Sequence, residues 1–339
     1  MRELQMINYV DVIVKGDVYV LLKTTSVVGT AVQGYIKLVN VVKKEKTFRF
    51  MYKEILNMYE TCEIKSLSYT KWLKYNILLV KKLQLATFIP VLFVSVGVTA
   101  VSFYKWIFEN KHLDVLPFTW PFVDSSTESG YYITLAGHLV CVVFGALGNF
   151  ANDSVLFIYV SHVTLVKNIL QCKFDDLDEI LKEFPKDPEK SEEPLKDIFK
   201  WHQKYLFFCT TIKDTFFWVF FVQVGSECVG IVCTIVCMFM GIWPQAPVYL
   251  LYLYSLLISY CSLGNLVEIS NDDVIDMIYN SCWYYLTVPE QKMILIMLRE
   301  SQQATGISIG GVAPLSLNTA LQVTKTIYTI TMMLKESLN

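Results

Sequence analysis

The sequence predicts an all-α fold, a polytopic bundle of transmembrane helices, and three observations carry that prediction. Of 339 residues, 54% are hydrophobic and only 18% are charged, where a soluble domain carries about 25% charged residues. Apolar stretches of near-spanning length recur along the chain; about 20 such residues, rising about 1.5 Å each, cross a hydrocarbon core about 30 Å thick. The Lys and Arg residues fall almost entirely between those stretches. This composition excludes a disordered chain and a single water-soluble globule. A formal net charge of -2 gives no reason to expect a nucleic-acid partner.

Six spans are expected, at 16–42, 83–107, 132–161, 207–241, 248–267 and 314–334. The first is diluted by Lys23, Thr24, Thr25, Ser26 and Lys37. Lys37 is placed to snorkel at a bilayer edge, whereas Lys23 requires a polar partner or a wet cavity. Residues 43–82 should extend the neighbouring spans into the cytoplasm as helices, because apolar residues recur there at three- and four-residue intervals among charges. Residues 173–200 read as an amphipathic helix, a proline-broken turn and the start of a second helix.

The loops set the orientation. Residues 43–82 hold ten basic residues, 162–206 hold eight and 269–312 hold two, while the alternate loops and termini hold five together. The positive-inside rule therefore makes the three long loops cytoplasmic and the C-terminus external. A G-protein-coupled receptor requires the opposite. Six spans ending outside would also start outside, yet residues 1–15 carry no signal peptide. A further span upstream of this sequence is expected.

No nucleophile motif, phosphate loop, metal-ligating pattern or paired carboxylates can be found, and the four histidines are isolated. No catalytic residue, metal or cofactor is expected. None of the nine cysteines falls in an external loop, so no disulfide framework is expected either. An unpaired charge in lipid costs about 3 kcal/mol, so Glu227 within a span is protonated, paired or facing a cavity, while Asp153, His138 and His162 read as structurally paired groups.

The C-terminal third is the most specific. Thr287-Val288-Pro289-Glu290 is a capping box with proline in the first turn. It starts a helix too short to span. A Gly-rich break at 306–311 and Pro314 precede the terminal span, where Asn318, Gln322, Lys325 and Thr329 fall in one narrow arc at about 100° per residue. The opposite arc holds Val323, Ile327, Ile330 and Leu334. One polar stripe on a membrane helix lines a water-filled path or joins helices inside a bundle. In the outer half, Tyr249 and Tyr252 share a face of the fifth span, and Phe103, Tyr104, Trp106, Phe118, Trp120 and Tyr132 crowd the neighbouring ends. That is either an interfacial aromatic belt or the lining of a site for a small, mostly apolar ligand.

Read as text, the run from Tyr279-Asn-Ser-Cys-Trp283-Tyr284 through QKMILIMLRESQQ, ISIGG and PLSLNTALQVTKTIYTITMML resembles the insect odorant receptor family. His202 in FKWHQKYL and the GDVYVLL segment extend the likeness over most of the chain. The resemblance implies a seven-span topology with a cytoplasmic N-terminus and an external C-terminus. It implies a volatile-ligand-binding subunit of a ligand-gated, non-selective cation channel, assembled as a tetramer with the odorant receptor co-receptor in the cell membrane of a sensory neuron dendrite. A gustatory-type homomeric channel is the alternative. By position, Tyr249, Tyr252, Gly97, Val101, His138 and Cys141 would line the ligand pocket, and Asn318, Gln322, Lys325 and Thr329 the pore passed by cations. The expected organisation is a remnant at 1–15, transmembrane helices at 16–268, a cytoplasmic anchor helix at 269–305, and a hinge with the pore span at 306–339.

Overall fold

The computed structural model describes residues 18–63, 66–118, 120, 123–124, 127–303 and 306–338. The leading segment 1–15, and Gly16 and Asp17 of the first expected span, lie outside the described residues. Every other expected span is helical. The order is α1 (Val18–Lys43), α2 (Glu45–Glu63), α3 (Leu67–Glu109), α4 (Glu128–Glu183), α5 (Pro188–Phe239), α6 (Ala246–Asn280), a 3₁₀ turn (Trp283–Tyr285), α7 (Val288–Gln302), strands β1 (Ser308–Ile309) and β2 (Ala313–Pro314), and α8 (Leu317–Leu338). Helices α3 to α6 are long and apolar enough to cross a membrane. The polar dilution of the first and last spans, α1 and α8, keeps them below that mark.

Local chemistry sets the helix ends. Thr127 caps α4, its hydroxyl oxygen accepting from the Gly130 amide at 3.1 Å. Asp187 caps α5, accepting from the Glu189 amide at 3.1 Å, and Pro188 follows where a helix needs no donor. Between α4 and α5 the chain reverses at Lys186, whose φ is 58° and whose amide donates to the Tyr285 carbonyl at 2.8 Å. At 56 residues α4 is about 84 Å long at 1.5 Å per residue, well beyond any bilayer. Its C-terminal third, like the start of α5, extends past the apolar stretch.

Helix α1 packs chiefly along α5, α3 along α4 and α6, and α8 along α5 and α6. The core is densest at the cytoplasmic end, where Leu165, Ile169, Leu170, Phe174 and Leu177 of α4 meet Ile198 and Tyr205 of α5 and Met297 of α7. Polar ties join the same elements. His202 Nε2 lies 2.7 Å from Ser301 Oγ, the Tyr205 hydroxyl donates to Asn271 at 2.7 Å, and the Tyr69 hydroxyl donates to Asp176 at 2.7 Å. Glu290 of the capping box accepts from the Thr287 amide at 2.9 Å, the Thr287 hydroxyl at 2.6 Å and the Ser191 hydroxyl at 2.5 Å. The cap thus also fastens α7 to the first turn of α5.

Three expectations are corrected. No break falls at 269, because α6 continues through Asn280 before the chain turns. The Gly-rich segment is an antiparallel ribbon, Ser308 opposite Pro314 and Ile309 opposite Ala313, rather than a loose hinge. Gly310 and Gly311 turn it with φ of 59° and 79°, a region open to glycine. Lys37 does not snorkel. It is 5% exposed and forms an ion pair with Asp153, itself 1% exposed.

Candidate ligand-binding site

In the outer half of the bundle α1, α3, α4 and α6 diverge around a cavity of about 480 Å³. Its walls are Val91, Val94 and Val98 of α3, Val27 and Ala31 of α1, and Cys141 and Ala146 of α4. Trp243, Tyr249 and Tyr252 line it as well, with Val115 and Leu116 contributed by the segment after α3. The volume is about three times the roughly 150 Å³ that suffices for benzene in an apolar protein cavity. Small residues make the space: nothing lies within 4 Å of where a Cβ on Gly145 or Gly148 would project.

The three aromatic rings form a graded wall. Trp243 and Tyr249 have centroids 5.3 Å apart, and Tyr249 and Tyr252 6.0 Å. The two tyrosines differ in their hydroxyls. Tyr249 donates to the Ser26 carbonyl at 2.9 Å, so its 2.5 Å contact with Thr30 is one in which the threonine hydroxyl donates. That pairing fixes Tyr249 to α1. The Tyr252 hydroxyl makes no hydrogen bond among the described residues, which makes it a polar handle on a largely apolar surface that also carries the Asn149 side chain. Ser95 also lines the cavity, but its hydroxyl donates to the Val91 carbonyl at 2.7 Å.

Of the six expected pocket residues, the structure brings Tyr249, Tyr252 and Cys141 to this cavity and leaves Gly97, Val101 and His138 outside its lining. Gly97 faces α6, where a Cβ would stand 2.6 Å from Val248 Cγ1. Val101 lies one turn beyond Val98, the last α3 residue at the wall. His138 is fully buried, with Nε2 2.9 Å from the Phe118 carbonyl and its ring 4.8 Å from that of Phe118. It supports the outer loop above the cavity. The remaining external aromatics divide likewise: Phe118 and Trp120 cover His138, while Tyr104 and Tyr132 are about half exposed.

On α8, Asn318, Gln322, Lys325 and Thr329 are all exposed, and Ala320, Ile327 and Thr331 turn toward the bundle. Leu321, Tyr328 and Met333 flank the polar stripe and are exposed too. Ile330, on the arc opposite the polar stripe, is 41% exposed, whereas Ile327 on the same arc is buried.

Comparisons with known proteins agree with this architecture. The chain matches the family model described as 7tm Odorant receptor over residues 17–328. It is 24% identical to the putative odorant receptor 83c of Drosophila melanogaster over 333 residues, 94% of this chain and 83% of that one. Its fold is similar to that of the insect olfactory receptor OR5 from Machilis hrabei, with a TM-score of 0.76 at 13% identity over 98% of this chain and 84% of that one. The same receptor in complex with eugenol gives 0.75 at 13%, over 95% and 82%. Since the family match spans nearly the whole sequence, this membrane-embedded helical chain belongs to the 7tm odorant receptor family.

Proposed function

We propose that this odorant receptor is the ligand-binding subunit of a cation channel formed with the odorant receptor co-receptor in the sensory neuron membrane. A small, mostly apolar volatile enters the cavity, packs on Trp243, Tyr249, Tyr252, Val98 and Cys141, and is oriented by the Tyr252 hydroxyl. The carrying observation is the cavity itself: largely apolar, aromatic on one side, walled by four helices, and lined by a Tyr252 hydroxyl without a partner among the described residues. The solved relative of the same fold holds eugenol, a ligand of that chemical kind.

The exposed stripe of Asn318, Gln322, Lys325 and Thr329 supports a pore-lining role for α8, because a polar stripe flanked by apolar residues suits a helix between water and neighbouring subunits. In this reading residues 281–305 anchor the subunit at the cytoplasmic face. Ligand shifts the channel toward its open state only by binding that state more tightly. Co-expression with the co-receptor under an odorant panel tests the reading. A ligand-gated cation current is expected, with a dose–response shifted by Tyr252→Phe and an ion preference altered by Lys325→Gln. A current that persists without co-receptor would replace the heteromer by a homomer. Silence of the surface-expressed pair across the panel would overturn the reading.

A further inference from the structure

Two turns below Tyr252 the bundle holds a second polar centre, apart from the cavity lining. Asp153 of α4 takes the Lys37 ammonium from α1 and the Tyr260 hydroxyl from α6, the latter at 2.5 Å. Glu227 of α5 accepts from the Gln223 side chain at 2.5 Å. Gln33 of α1 reaches Ser226 at 2.8 Å beside them. Asp153, Gln223, Glu227 and Tyr260 are each no more than 1% exposed. Lys37 and Asp153 both lie close enough to Glu227 to act on it electrostatically.

The balance of this centre is uneven in two respects. Two carboxylates face one ammonium, and an uncompensated charge in a low-dielectric interior is strongly disfavoured. Three acceptor oxygens, Asp153 Oδ2, Gln223 Oε1 and Glu227 Oε2, are buried without a hydrogen-bond partner. Both imbalances belong to one set of neighbouring side chains. A small cation answers both.

We propose that the Asp153–Gln223–Glu227 centre binds one additional unit of positive charge, either an alkali cation held by the three free oxygens or a proton carried by Glu227. The groups facing Glu227 are Lys37 from α1, Asp153 from α4, Gln223 and Cys228 on its own helix, and Tyr249, Tyr252, Tyr260 and Cys261 from α6. Lys37 is the one cation among them, and Asp153 already holds it. Tyr252, on the wall of the ligand cavity, lies near enough to both carboxylates to interact with them electrostatically.

The inference stands independently of channel gating, and its test needs neither current nor co-receptor. The purified full chain in lipid nanodiscs would be melted at fixed ionic strength in sodium chloride or choline chloride, from mildly acid to neutral pH, beside Glu227→Gln and the similarly sized Glu227→Met. Sodium raising the wild-type melting temperature over choline, with no such rise in either variant, assigns an alkali cation. A gap between wild type and variants that closes on acidification, alike in both salts, assigns the proton. Either variant alone suffices as the reference if the other fails to fold. A gap unchanged by cation and by pH overturns the proposal.

Discussion

The two halves of α4 follow opposite packing rules. Between residues 132 and 152 the helix turns Tyr132, Ile133, Val140, Val143, Phe144 and Leu147 outward and sets Gly145 and Gly148 against open space. From Leu156 to Leu181 nearly every apolar side chain is buried, as are His162, Asn168 and Lys173. The outer half has lipid for a solvent and needs no interior to hide its apolar surface, so the helices can part and leave a cavity. The inner half runs into the cytoplasm, where apolar surface must be covered and polar ties among four helices hold the cover in place. An adaptable pocket is thereby mounted on a rigid base.

Glycine substitutions break the comparison most sharply. Gly264, midway along α6, lets the chain leading into α8 approach so closely that an added Cβ would stand 1.8 Å from the Leu315 carbonyl oxygen. No side-chain rotation relieves a clash with backbone. Gly264→Ala should therefore destabilise by more than about 4 kcal/mol, the range reserved for named structural failures, and surface expression should collapse. Gly148→Ala, set in open space, should express at wild-type level. Equal expression of the two would show that the approach of Leu315 to α6 is not as close as the structure gives it.

The next effect tests the ion pair buried between α1 and α4. Lys37→Met leaves Asp153 buried beside Tyr260 without its cation, and breaking a buried pair from one side costs about 3–5 kcal/mol. Lys37→Met with Asp153→Leu should recover most of that loss, measured as thermal melting in detergent. If the double variant melts no higher than the single, the pair is not what holds α1 to α4.

Acid should loosen the base. Burial pushes the His202 imidazole down to about 4, and its Nε2 is engaged with Ser301. A histidine held neutral in the fold but free to protonate near 6.5 when unfolded gives stability that is full above pH 6.5 and lost progressively as pH falls toward 4. The span of that loss is on the order of 3 kcal/mol. His202→Gln should flatten the decline in melting temperature between neutral and mildly acid pH. An unchanged slope would place the acid sensitivity elsewhere.

What the sequence made legible follows the same division. Spans, topology and the α7 cap are local or additive signals: apolar length, loop charge, and residues three apart. Tyr249 and Tyr252 were readable because three-residue spacing fixes a shared face. Gly97, Val101 and His138 were placed by depth alone, and depth is one of two coordinates on a helix; the face decides whether a residue meets the cavity or its neighbour. The Lys37–Asp153 pair joins residues 116 positions apart, a distance over which single-sequence patterns are silent. Thr30 and Trp243 were missed for the same reason. The small run Gly145-Ala146-Leu147-Gly148 was a usable clue to open space in a bulky span. The two-residue strands at 308–309 and 313–314 were below the length at which alternation can be read.

The smallest expected effects separate the two cavity tyrosines. Tyr249→Phe removes the hydroxyl that accepts from Thr30 and donates to the Ser26 carbonyl, so about 1–2 kcal/mol of stability should go for every ligand alike. Tyr252→Phe removes a hydroxyl with no partner among the described residues, so the melting temperature of the unliganded receptor should stay put. Its effect should surface only with ligands that bear a hydrogen-bonding group, as a potency loss of about 1 kcal/mol, five- to tenfold, while a hydrocarbon of similar shape keeps its potency. Dose–response curves for such a matched pair of odorants on both variants decide the matter. If Tyr252→Phe weakens the hydrocarbon as much as its oxygenated partner, the hydroxyl is not the handle and ring packing alone orients the ligand.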